Sequence, residues 1–160
     1  MTGPDPIAVL VVAAGKGARA GAGLPKQFRP LAGVPVLDRS IAALRAALPT
    51  ARIQIVAAPE HFDRVAPLTA ALGLPAPVPG GETRQQSVRL GLEALAAAAP
   101  GIVLIHDAAR PFVSRDLISH VIAWPERHRA VVPGLPIAET IKPAPGGLAR
   151  LARPCLGGPP

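Results

Sequence analysis

The sequence predicts an α/β domain built on a mostly parallel sheet. Two observations carry this. Short β-branched runs lack polar alternation, as strands buried on both faces do. These runs alternate with amphipathic helical stripes, the pattern of βαβ units. A third observation limits the core: the 160 residues include only four aromatics, Phe28, Phe62, Phe112 and Trp124, so it must be aliphatic. The length suits one domain, at ~100–200 residues per domain. With 49% hydrophobic and 17% charged residues, wholesale disorder is excluded.

Ile7–Ala14 (IAVLVVAA) is the first buried strand. Gly15–Gly33 follows as a long ordered loop with five Gly, two Pro and four Lys or Arg. Asp38–Leu48 carries Ile41, Leu44, Ala47 and Leu48 on one stripe, a helix opened by an Asp cap. Arg52–Ala58 is a second strand, and Pro59–Leu72 a helix with Pro59 near its start. Pro75–Gly81 is extended. Glu82–Ala99 is a helix with Val88, Leu92 and Leu95 on one face, ended by Pro100-Gly101. Ile102–His106 is a third buried strand, Arg115–Trp124 a helix, and Ala130–Pro133 a short strand. Ligands of open parallel sheets bind beyond the carboxyl ends of the strands. The loops after Ala14, Pro79 and His106 are therefore the ones to search.

Several classes drop out. The single cysteine, Cys155, excludes an internal disulfide framework and a CxxC zinc site, and suits a reducing compartment. The longest apolar run, Ile7–Ala14, is too short for a bilayer, which takes ~20 residues. No Lys or Arg precedes it, so a signal-peptide n-region is missing. A cytoplasmic protein without membrane partners is the expectation. The net charge of +7 fits nucleic acid, a membrane surface or a phosphorylated small molecule equally well. With no Tyr and no aromatic platform, single-stranded nucleic acid is disfavoured. His61, His120 and His128 lack ligand spacing and are expected to be solvated.

Four segments carry candidate chemistry. Ala13-Ala14-Gly15-Lys16-Gly17-Ala18-Arg19-Ala20, continuing to Pro25-Lys26-Gln27, lets backbone N–H groups approach a phosphate while Lys16, Arg19 and Lys26 supply charge. Gly15–Ala20 formally fits the dinucleotide fingerprint. That fingerprint needs a helix opening at the loop, which Gly21, Gly23, Pro25 and Pro30 forbid. No Gly-Lys-Ser/Thr closes a P-loop. The second segment, Gly80-Gly81-Glu82-Thr83-Arg84-Gln85-Gln86-Ser87-Val88, sets two glycines before a helix start. It reads either as ligand-facing donors with a Ser hydroxyl or as a plain cap by Glu82 or Thr83. In the third, His106-Asp107-Ala108-Ala109-Arg110-Pro111, a strand runs into a charged turn. Asp107 there can meet Mg²⁺ or a ribose hydroxyl, or pair with Arg110 to stiffen the turn. The fourth, Ala138-Glu139-Thr140-Ile141-Lys142, says nothing alone.

Taken in order, AAGKGARAGAGLPKQFRPLAGVPVL (Ala13–Leu37), GGETRQQSVRLGL (Gly80–Leu92), IHDAARPFV (Ile105–Val113) and ETIK (Glu139–Lys142) resemble one family. It is the 2-C-methyl-D-erythritol 4-phosphate cytidylyltransferases of non-mevalonate isoprenoid precursor synthesis. The resemblance covers about residues 7–142. It implies a Rossmann-like nucleotidyltransferase fold, three-layer α/β/α, in which the sugar-alcohol phosphate attacks the α-phosphate of CTP and pyrophosphate leaves. It also implies that Arg19 and Lys26 are catalytic, gripping the triphosphate in its transition state. Ala13, Ala14, Gly15, Gly17, Gly81, Ser87 and Ala108 would bind the nucleotide. Asp107, Arg110, Thr140 and Lys142 would meet the ribose or the acceptor. Mg²⁺ would bridge CTP phosphates, held mainly by the nucleotide, and a second copy of the chain would complete a homodimer. Related readings are a ribitol-5-phosphate or other sugar-phosphate cytidylyltransferase and an inactive nucleotide-binding remnant.

The sequence departs from the family in places. Glu139 stands where the family has Asp. After Lys142 the Leu-Trp and Gln-Thr-Pro-Gln segments are missing, and Arg153 is a close-spaced stand-in for a family Arg. Between Pro133 and Pro160 there are seven Pro and five Gly in 28 residues. The expectation is an incomplete nucleotidyltransferase domain at 1–142 and a divergent tail at 143–160, disordered or frameshifted at Pro154–Pro160. Such a break would impair the dimer and the activity. Loss of a fused cyclodiphosphate synthase domain is an open alternative.

Overall fold

In a computed structural model, residues 6–15, 23–124 and 130–134 are described in full, together with the backbone of 141–144 and 147–150. Strand β1 (Ile7–Ala13) is followed by a single 3-10 turn at Lys26–Phe28, a small hairpin of β2 (Pro30–Leu31) and β3 (Val34–Pro35), and helix α1 (Val36–Ala47). Then come β4 (Arg52–Ala57), α2 (Phe62–Ala71), β5 (Val78–Pro79), α3 (Arg84–Leu95), β6 (Ile102–Asp107) and α4 (Arg115–Ala123). A separate antiparallel hairpin joins β7 (Ile141–Ala144) to β8 (Gly147–Arg150).

The main sheet has the order β5-β4-β1-β6, and every pairing in it is parallel. From β1 the chain first builds toward β4 and β5, then returns to add β6 on β1's other side. The reversal lies between β1 and β6, the switch point where open parallel sheets place their ligand crevice, beyond the carboxyl ends of the strands.

Side chains alternate along β1 and sort the core into two layers. Val9, Val11 and Ala13 face Leu37, Ile41 and Leu44 of α1, Val65 of α2 and Ile118 of α4. Ala8 and Leu10 pack with Val56 of β4 and Leu95 of α3. The result is helices on both faces of the sheet. No buried aromatic is needed beyond Phe28.

Several elements differ from the sequence reading. Helix α1 begins at Val36, directly after Pro35, so Asp38 lies inside the first turn and is not the cap. There it still faces the positive end of the helix dipole. The Pro59–Leu72 helix splits into a 3-10 turn at Pro59–His61 and α2. Helix α3 starts at Arg84, because a reciprocal box of Thr83 and Gln86 caps it. It ends in a 3-10 turn and Ala99 at φ +42°. Strand β6 is only half-buried and Ile105 is 45% exposed, because β6 is an edge of this sheet. Ala130–Pro133 forms no strand: Val132 is 87% exposed, and no described strand pairs with the segment. The long loop after β1 contains the β2–β3 hairpin, whose two-residue turn places Ala32 at φ +47° and Gly33 at φ +77°. His61 is not free in solvent. Its ring stands edge-on to Phe28, with centroids 5.0 Å apart.

One glycine sets how close α3 lies to the sheet. A Cβ on Gly91 would overlap the Leu10 side chain and come within 2.7 Å of Val56 Cγ2. We expect Gly91→Val to lower stability by about 1–3 kcal/mol through overpacking. Urea unfolding midpoints check this, and an unchanged midpoint would mean that α3 can lift without cost.

Candidate functional site

Three loops meet at the crevice. The first leaves β1 as Ala13, Ala14 and Gly15. Ala13 is buried, Ala14 half-buried and Gly15 exposed. The side-chain amide of Gln27 donates to the carbonyls of Ala13 (2.8 Å) and Gly15 (3.1 Å), which fastens the Lys26–Phe28 turn to the end of β1. Gln27 is buried while its neighbour Lys26 is exposed. Lys26 makes no ion pair among the described residues. Lys16, Gly17 and Arg19 lie outside the described residues.

The second loop follows β5. The Gly80 N–H continues the ladder to the Ala57 carbonyl at 2.8 Å. A Cβ on Gly80 would fall on the Ala14 methyl group, so the two loops touch where only glycine fits. Ser87 is buried beneath this loop. Its hydroxyl accepts from the Gly81 N–H (3.1 Å) and donates to the Thr83 carbonyl (2.9 Å). Ser87 therefore shapes the Gly81 turn, and its hydroxyl is already engaged within it.

The third loop follows β6. The Ala108 N–H bonds the Val12 carbonyl at 3.1 Å. The Ala108 carbonyl accepts from the buried Ser40 hydroxyl of α1 at 2.8 Å. Asp107 is held on both oxygens: Arg84 reaches Oδ1 through Nη2 (2.9 Å) and Nε (3.3 Å), and Arg110 Nε reaches Oδ2 (3.0 Å). Burial alone would raise the Asp107 pKa. The hydrogen bonds from Arg84 and Arg110, and then their charges, outweigh it and hold the carboxyl below its ordinary value. The Arg84 and Arg110 side chains are 62% and 76% exposed, so these pairs add little to stability and serve mainly to orient. The His106 ring donates through Nε2 to the Arg110 carbonyl at 3.0 Å in its neutral form.

The structure thus brings together Ala13, Ala14, Gly15, Lys26, Gly81, Ser87, Asp107, Ala108 and Arg110 around one crevice. Thr140 lies outside the described residues, as do Glu139, Arg153 and Pro154–Pro160. Lys142 lies in β7, and only its backbone is described. Sequence reading misses Gln27, Ser40, Arg84 and His106 as parts of the site. Gln27 and Arg84 stand inside the candidate segments, but their partners are set by strand order. Among the described residues, no cluster of three or more His, Cys, Asp or Glu is placed to hold a metal ion. Asp107, the carboxylate at the crevice, has both of its oxygens held by arginines in this structure. A depression of about 570 Å³ lined by Arg45, Arg52 and Leu72 lies at the amino end of β4, away from all three loops. No helix of the described residues is long and apolar enough to cross a membrane.

Known proteins match both the sequence and the fold. The family model for 2-C-methyl-D-erythritol 4-phosphate cytidylyltransferase, IspD, matches residues 7–149. The chain belongs to this family. The match runs past Lys142 and into the β7–β8 hairpin. The bifunctional enzyme IspD/IspF of Rhodopseudomonas palustris strain BisB18 is 49% identical over 135 residues, covering 84% of this chain and 34% of the relative. The enzyme of the same description from Bradyrhizobium sp. strain ORS 278 is 46% identical over 142 residues, covering 89% and 36%. The chain spans about a third of the length of these curated relatives. A solved structure of 4-diphosphocytidyl-2C-methyl-D-erythritol synthase superposes with a TM-score of 0.71 at 24% identity, over 95% of this chain and 70% of that one. The bifunctional IspDF of Campylobacter jejuni gives 0.60 at 23%, over 74% and 30%. At that identity these structures speak for the fold alone, a mostly parallel sheet with helices.

Two measurements test the site's architecture. Gln27→Leu leaves the buried Ala13 carbonyl without its side-chain donor, and should cost about 1–3 kcal/mol in chemical denaturation. Wild-type stability would mean that the tie is idle. For His106, burial lowers the pKa from 6.5, against the opposing bond to Arg110. The unfolded chain therefore takes up this proton first. Its contribution to stability should be complete above about pH 6.5 and decline as pH falls through the folded pKa below that. Unfolding midpoints of wild type and His106→Gln across pH 5–8 should converge toward the acid side.

Proposed function

We propose that the chain is a cytidylyltransferase that transfers CMP from CTP to 2-C-methyl-D-erythritol 4-phosphate. The observation that carries the proposal is the convergence of the family's first three motif segments on the β1–β6 crevice, with Lys26 exposed beside it and unpaired among the described acids. An acceptor phosphate oxygen attacks the α-phosphorus. The bond from that phosphorus to the bridging oxygen breaks, and pyrophosphate leaves with the electron pair. Such transfers ask little covalent chemistry of a protein, so catalysis rests on positioning and on neutralising charge.

In this reading Ala13, Ala14, Gly15, Gly17, Gly81 and Ala108 let the nucleotide lie close to the backbone, and Ser87 keeps the Gly81 turn in shape. Lys26 and Arg19 neutralise the triphosphate. Asp107 meets ribose or acceptor hydroxyls, while Arg110, Thr140 and Lys142 serve the acceptor side. Magnesium would arrive on the phosphates, and no step is assigned to it. The β7–β8 hairpin is read as the arm that reaches a second copy in a homodimer. The expected setting is the cytoplasm.

The test incubates the purified chain with CTP, Mg²⁺ and either 2-C-methyl-D-erythritol 4-phosphate or ribitol 5-phosphate, and follows products by ³¹P NMR. Pyrophosphate with the first acceptor alone is the expected result. Pyrophosphate with the second would reassign the acceptor, and CTP binding in calorimetry without turnover would mark a nucleotide-binding remnant. Lys26→Ala should slow turnover by ~10²–10³, the usual cost of one preorganised charge donor. Unchanged turnover would remove Lys26 from the reaction.

A further inference from the structure

We propose that Arg84 is a positioning residue, which sets the Asp107 carboxylate from the fixed end of α3 so that Arg110 is free to leave it for an anionic ligand. The inference deepens the cytidylyltransferase reading and rests on it. Asp107 has two guanidinium partners of different kinds. Arg110 lies three residues away in the same turn and bonds Oδ2 through one nitrogen. It moves with the turn and cannot serve as an outside reference. Arg84 comes from 23 residues upstream and grips Oδ1 with two nitrogens. It is the first residue of α3, directly after Thr83 of the Thr83–Gln86 capping box. That helix is seated on the sheet through Gly91 and the buried Leu95.

Arg84 therefore ties the second loop to the third across the crevice mouth, from an element the core holds still. A two-nitrogen grip on one carboxylate oxygen leaves the other oxygen open once Arg110 departs. The carboxylate then keeps its charge and its aim when a sugar hydroxyl or phosphate arrives. An exposed pair of this kind has little to offer stability, which separates a positioning role from a structural one.

The experiment compares wild type, Arg84→Met and Arg84→Lys in the full chain. Three quantities are read: KM for CTP against kcat, the acid limb of kcat/KM, and the Asp107 carboxyl titration by ¹³C NMR. In Arg84→Met we expect KM for CTP to rise about tenfold, with kcat within about threefold, as for one lost charge-assisted contact. The acid limb and the Asp107 titration should both move to higher pH. Arg84→Lys should restore the titration and the acid limb but only part of KM, because an ammonium cannot reproduce the planar grip. A wild-type KM and acid limb in Arg84→Met would overturn the proposal. So would equal falls in kcat and thermal midpoint in both variants. If the wild-type chain turns over no CTP, the cytidylyltransferase reading fails by itself. The carboxyl titration then still judges the grip: a shift in Met but not in Lys supports it, and no shift overturns it.

Discussion

Everything at the crevice hangs from β1. Among the described strands of the main sheet, it alone is paired along essentially its whole length on both sides, with β4 on one and β6 on the other. Helices cover both of its faces, and its side chains are buried or half-buried throughout. They are Ala, Val, Leu and Ile, so neither face demands a rotamer-rich or aromatic filler. That arrangement fixes register: a shift by one residue would exchange the two cores and place Leu10 where Val11 now meets α1. Because β1 is held this firmly, the backbone of Ala13 to Gly15 emerges at a defined place, and the other two loops are arranged against it.

Much of this is legible in the sequence. A continuous apolar run marks β1 correctly, because a strand buried on both faces leaves a distinctive composition, and Ile53, Ile55 and Val56 mark β4 although Gln54 interrupts them. The loops to search follow from the rule for parallel sheets. The misses have physical causes. Strand β6 opens on an apolar run, Ile102–Ile105, as β1 does, yet composition does not report position in the sheet, and β6 lies at an edge. Asp38 has the chemistry of a cap, but Pro35 already ends the preceding strand and lets α1 start earlier. Val131 and Val132 have strand propensity, but no described strand is there to pair with them. Arg84 and Gln27 escape a local reading for a different reason. Their importance lies in partners 23 and 14 residues away, and nothing local to either residue announces the partner.

The charge of the chain also takes on a clearer meaning. A formal excess of +7 does not require a polyanion partner when positive groups gather at one crevice. At its mouth, one carboxylate stands between two guanidinium groups, which leaves a local excess of positive charge. The arginines are thus kept from repelling one another while no ligand is bound, and the site retains a surplus that favours an anion.

The contact between Ala14 and Gly80 has a consequence for how such a sequence can change. The two positions are far apart in the chain, but their side-chain space is shared and already full with one methyl group. They behave as a single locus with room for one small substituent. A side chain at position 80 would meet the Ala14 methyl group first and the Ser87 hydroxyl next, at 3.2 Å. Drift at either residue is therefore conditional on the other, and the width of the crevice is inherited as a pair.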